Sequence, residues 1–308
     1  DLRQAGEEYA ERFLHAVRGY TGPVIVELFR PASREYLRSV REALPNFTLE
    51  MSLESHDPAV RRAFGKCYDN GAVEATLEYA LSEGCQRLDV FFMIGLPQQT
   101  YDSVLATVDY CSALLDQQPT AGSRRLFPFI SPLAPFVDPG SAVFEEPERY
   151  GYRFFCRTLD EHRRALVQPS WKYVLNYETQ WMTRSEIVAS SYEAGLRLNR
   201  LKARHGLVGA EQAAATERRI QTAVSLSAQV DAIMCVPSEA ERRKRLAALK
   251  PEVDRANIST VCDKRELELP VGLFKLNIPR AAAYFVAGEV RRWWGRLKPR
   301  RPAGNAER

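Results

Sequence analysis

The stretch FFMIGLPQQT, residues 91–100, decides the fold. Phe91, Phe92, Met93 and Ile94 make a short apolar run of the kind a parallel strand needs when both its faces are covered. Gly95 and Pro97 end it: glycine reaches backbone angles closed to other residues, and proline fixes its own φ and removes a donor. Thr100 stands at the cap of a helix expected over Tyr101 to Leu115. A strand that breaks this sharply into a helix is the βα turn of an α/β fold, where ligands bind beyond the carboxyl ends of strands.

Outward from this turn, the first 145 residues alternate between helical and strand patterns. Helices are expected over Ala5 to Tyr20, Ala32 to Leu44 and Ala72 to Glu83, and strands over Val24 to Phe29, Phe47 to Glu54, Leu88 to Ile94 and Leu126 to Ile130. A closed eight-stranded barrel needs about 250 residues. These strands, residues 1–145, therefore read as part of a parallel α/β sheet or (β/α) barrel whose beginning is missing. Because residue 1 is Asp and the first Met is Met51, the chain is expected to be a piece of a longer protein.

From Glu146 the strand signal fades and a mostly helical region, 146–298, is expected. Asp138-Pro139-Gly140 marks the joint. Thr183 with Glu186 and Ser238 with Glu241 are capping-box pairs that open helices, and Gly209 to Met234 and Arg280 to Leu297 read as two more. A basic tail, 299–308, is expected to be disordered.

Composition narrows the functional classes. The net charge of +4 is modest and much of it sits in Arg291 to Arg301, so no general nucleic-acid surface is implied. No apolar run approaches the roughly 20 residues of a membrane span. The six cysteines carry no CxxC spacing, which excludes a recognisable local metal site and suits reduced thiols in a cytoplasmic protein. The four histidines are equally isolated.

The second strand carries the chemistry. Phe47, Leu49, Met51 and Leu53 alternate with Thr48, Glu50, Ser52 and Glu54, and period two sends the two sets to opposite faces. Two carboxylates and two hydroxyls inside a barrel call for a ligand, water or cationic partners, because buried unpaired carboxylates are costly. Glu27 adds a third carboxylate near the same end. The bland alternative is an ion-pair network that holds the sheet together.

The series VIVELFRP (24–31), FTLEMSLESHDP (47–58) and LDVFFMIGLPQQT (88–100) resembles the third to fifth strands of the radical S-adenosylmethionine (SAM) superfamily. The GLPxQT turn is similar to that of oxygen-independent coproporphyrinogen oxidases. PFISPLAPFVDPGS (128–141) and PSWKYVLNYETQWMTRSEI (169–187) resemble cobalamin (B12)-binding-domain radical SAM proteins. The resemblance implies the C-terminal half of a radical SAM TIM-type (β/α) barrel, with Glu27 on the SAM amino group, Ser52 and Glu54 at the ribose, Lys66 on the SAM carboxylate, and Ile94 and Gly95 against the adenine. It also implies a [4Fe-4S] cluster and cobalamin in the full-length protein. Their ligands are not in this chain: the CxxxCxxC motif is absent, so this part alone is expected to be inactive. The intact enzyme would generate a 5′-deoxyadenosyl radical or transfer a methyl group, on a small-molecule substrate that the sequence does not identify.

Two other classes remain open on the residues themselves. One is a TIM-like hydrolase or aldolase that uses Glu27, Glu50 and Glu54 as acid and base. The other is a non-catalytic module whose tail, with Trp293 and Trp294 among basic residues, docks a membrane surface or a partner. For the aromatic stretch Trp171 to Trp181, packing is the expected role.

Overall fold

Alternating apolar residues draw four segments into one parallel sheet whose spatial order is the chain order: β1 (Val24–Leu28), β2 (Phe47–Glu54), β3 (Leu88–Ile94) and β4 (Leu126–Pro132). The computed structural model describes residues 1–118, 125–132, 137–256 and 285–286. Helix α1 (Glu7–Ala16) precedes the sheet, and α2 (Arg34–Ala43), α3 (Pro58–Ala63), α4 (Asn70–Ser82) and α5 (Tyr101–Asp116) lie in the connections. Phe47, Leu49, Met51 and Leu53 are fully buried, and with Leu88, Val90, Phe92 and Ile94 they share one core with Leu37, Val73, Leu77, Val104 and Val108 of the helices. Each such side chain contributes about 1.5–3 kcal/mol by leaving water. A slip of one residue would turn all of them to the other face, and this fixes the register.

Side-chain caps set the helix boundaries. The Ser33 hydroxyl accepts from the Tyr36 amide, Asp69 from the Ala72 amide and Thr100 from the Ser103 amide. Helix α4 therefore starts at Asn70 rather than at the expected Ala72, with Gly71 inside its first turn. Helix α1 is shorter than the expected Ala5 to Tyr20, because Gly6 and Gly19 take positive φ (103° and 92°) on either side of it. Helix α3 was not expected at all: Asp57 caps it and Pro58 stands in its first turn, a favourable start that the neighbouring strand pattern obscured.

Beyond the sheet lie α6 (Ala142–Glu145), β5 (Tyr152–Phe154), α7 (Leu159–Ala165), α8 (Trp171–Val174), β6 (Tyr177–Thr179), α9 (Arg184–Arg204), α10 (Ala210–Met234) and α11 (Glu239–Ala256). Strands β5 and β6 pair antiparallel, which corrects the expectation that strand structure ends near Glu146. Three-residue strands have too short a period to be read from sequence. The capping box at Thr183 and Glu186 is present in both directions. The chain divides into two compact units, Asp1–Val261 and Cys262–Arg308. Of the second unit only Phe285 and Val286, both helical and exposed, are described. The rest of the helix expected over Arg280 to Leu297, and the basic tail, lie outside the described residues.

Candidate functional site

One face of the sheet is closed by helices, and the other carries the polar column. Register aligns Glu27 of β1 with Glu50 of β2 and Asp89 of β3, a row of three carboxylates on adjacent strands. Thr48 and Ser52 share this face, as do Phe91 and Met93, and Phe91 stacks on Phe129 of β4 at 5.1 Å between ring centroids. Most of these side chains are half-buried, so the face is neither packed shut nor fully open. Arg87 donates to Asp89 at 2.8 Å and lies 4.3 Å over the ring of Phe127. The Ser52 hydroxyl donates to Glu27 at 3.2 Å. Among the described residues Glu50 has no hydrogen-bond or ion-pair partner; burial, then Asp89, then Glu27 push its carboxyl above the usual range, against a smaller opposing pull from Arg87.

Glu54 leaves the column. The β2–β3 register shifts between Ser52 and Glu54, and Glu54 takes a left-handed φ of 65°. That bulge turns its carboxylate inward at the carboxyl end of the sheet, where it is 5% exposed. Lys66 bonds Glu54 Oε1 and the Ser52 carbonyl, each at 2.5 Å, while Glu54 Oε2 is buried with no partner. Lys66, from the segment after α3 rather than from a neighbouring strand, thus pairs with Glu54 directly. Arg61 holds the loop that carries both residues. It is fully buried and donates to the Ser55 and Tyr68 carbonyls and to Asn70 Oδ1 at 2.7–3.0 Å.

The turn after β3 is held by its own residues. Gly95 takes φ 97°, and the side chain of Gln99 accepts from the Gly95 and Leu96 amides and donates to the Met93 carbonyl. Tyr152 of β5 donates to the Gly95 carbonyl at 2.7 Å. Tyr177 of β6 lies so close that a Cβ on Gly95 would stand 2.6 Å from its hydroxyl oxygen, which is buried and without a partner. Ile94 faces the helices and is 1% exposed. The structure therefore brings Glu27 and Ser52 together, and Glu54 with Lys66, but it puts Ile94 on the opposite face and covers Gly95 with tyrosines.

Reasoning from sequence missed Asp89, Arg87, Phe91 and Met93, although the same alternation that picked out Glu50 could have found them. Gln99, Tyr152 and Tyr177 gave no comparable signal, since their contacts depend on distant segments meeting. Trp171 donates to the Tyr192 hydroxyl at 2.8 Å and Trp181 packs on Gly151, so these two aromatics of the 171–181 stretch serve packing.

No protein-family model matches the chain, and no curated protein matches it. Among solved structures it is similar to coproporphyrinogen III oxidase (HemN) from Escherichia coli, a radical SAM enzyme. The TM-score is 0.33 and the identity 16%, over 56% of this chain and 45% of that one. The chain thus spans less than half of that enzyme's length. Similarity at this level carries no argument about activity, and the site stands on its own geometry.

Proposed function

We propose that the carboxyl edge of β1 and β2 binds S-adenosylmethionine, and that the chain supplies this side of a radical SAM enzyme. The observation that carries the reading is Glu54 Oε2, a buried carboxylate oxygen without a partner, whose sister oxygen is already neutralised by Lys66. Such an atom is costly unless a donor reaches it, and a ribose hydroxyl is a donor of the right kind. Glu27, half-buried and accepting from Ser52, has acceptor capacity left for an ammonium. Lys66 has one N–H beyond those it gives to Glu54 and the Ser52 carbonyl, but it meets the SAM carboxylate less directly because its charge is already paired with Glu54. For the adenine, Phe91 and Met93 offer apolar surface on the Glu27 face, whereas Ile94 and Gly95 do not.

Bound SAM would supply the reactive sulfonium, while the residues here bind it, orient it and balance its charges. A [4Fe-4S] cluster does not fit the described residues, among which no group of three His, Cys, Asp or Glu could hold a metal. Its ligands, and any cobalamin site, belong in this proposal to other polypeptide, and no step is routed through them.

S-adenosylhomocysteine, which keeps the amino, carboxylate and ribose groups, tests the reading by calorimetry without a cluster. Binding is expected, with a loss of about tenfold for Glu27→Gln and for Glu54→Gln. Failure of the unaltered chain to bind, or unchanged affinity in both variants, would reject it. A second reading, acid–base catalysis by Glu27, Glu50 and Glu54, is favoured by the unpartnered Glu50 with its raised pKa. It expects no affinity for S-adenosylhomocysteine, and a hydrolytic or aldol activity that Glu50→Gln abolishes.

A further inference from the structure

Away from the sheet, α9 and α10 touch near Gly195, where Ile220 Cδ1 would lie 3.9 Å from an added Cβ, and a cleft of about 620 Å³ opens between the two helices. This is the size of a small-molecule site. Val188, Leu196, Ile220 and Val224 make its walls apolar, and Val224 is 46% exposed.

Tyr101, Lys172 and Tyr192 supply hydrogen-bond donors to the same cleft. The Tyr192 hydroxyl accepts from Trp171, which leaves its own proton to donate. Lys172 spends one N–H on Asp231 Oδ2 at 2.8 Å and has two more. Asp231, a carboxylate at this cleft, is paired with Lys172 and accepts from Tyr173 with its other oxygen at 2.8 Å. Glu193 at the rim is paired with Arg197. Tyr101 begins α5, so the positive end of that helix also borders the cleft. Ser185, Gln221, Ser225 and Ser227 also line the cleft and can donate or accept, while Lys172 is the one cation among these lining side chains; its free N–H groups beside the two tyrosine hydroxyls suit a carboxylate.

We propose that the cleft binds an amphiphilic carboxylate, an alkyl or aryl acid whose apolar body lies between α9 and α10 and whose carboxylate takes donors from Lys172, Tyr192 and Tyr101. This inference is independent of the SAM reading. Octanoate, titrated calorimetrically into the 308-residue chain, is the probe, with octylamine and 1-octanol as carriers of the same body. Octanoate is expected to bind at least about tenfold more tightly than octanol, and octylamine not at all. Ala189→Trp, which adds bulk from α9, should remove binding, and Lys172→Met should weaken it about tenfold. Should loss of the Asp231 pair unfold the Lys172 variant, Tyr101→Phe removes a donor that makes no hydrogen bond to the described residues and is expected to weaken binding about threefold. Absence of octanoate binding up to about 10 mM, equal binding of octylamine, or undiminished binding by a folded Ala189→Trp protein would each overturn the proposal.

Discussion

The two tyrosines over Gly95 are alike in sequence and opposite in energetics. Tyr152 makes a buried hydrogen bond to the Gly95 carbonyl, so Tyr152→Phe orphans an acceptor and should cost about 1–2 kcal/mol. Tyr177 buries a hydroxyl with no partner, so Tyr177→Phe removes a liability and should be neutral or stabilising. Urea unfolding of the two variants compares them, and a loss for Tyr177→Phe equal to that for Tyr152→Phe would mean that its hydroxyl is paired. Glu50 makes a related point through pH. Its folded pKa is raised above the ordinary 4.5, so folding favours protonation more than the unfolded chain does. The associated stability is complete below the unfolded pKa and is lost as pH rises through the folded value. Glu50→Gln should therefore raise the melting temperature by roughly 1–3 °C at pH 7, with the gain fading below about pH 4. Melting curves at the two pH values check this, and a gain that is the same at both would point to a cause other than ionisation.

At the scale of elements, the β2–α4 connection, which contains α3, shows a charge used as a scaffold. Arg61 has no carboxylate in contact; it gathers carbonyls from both ends of the loop that carries Glu54 and Lys66. Arg61→Met should cost about 3–5 kcal/mol, because several buried acceptors lose their donor at once. Hydrogen exchange should then rise first in residues 54–70, and uniform loosening of the whole sheet would contradict this local role. The β3–α5 turn reaches a similar end by another route, since one glutamine side chain supplies the bonds that an abrupt strand end leaves unmade.

For the molecule as a whole, helices close one face of the four-stranded sheet, while the other keeps a half-buried row of carboxylates beside an aromatic stack. That asymmetry marks the candidate site. Beside it, α9 lies against β4, and its Lys202 stands 4.1 Å over the ring of Phe129. No helix among the described residues is long and apolar enough to cross a membrane. The four strands, the capped helices between them and the face of β2 that bears Glu50 were legible in the sequence, because period two, period 3.6 and cap chemistry act over a few neighbouring residues. The α/β class and the parallel order follow from that local pattern. Tertiary structure alone decided where the site residues ended. A one-residue bulge took Glu54 out of the column and gave it to Lys66, strand parity put Ile94 with the helices, and Tyr152 and Tyr177 arrived from 57 and 82 residues beyond Gly95 to cover the turn. Such contacts join segments whose meeting depends on packing the whole chain, and local periodicity carries no record of them.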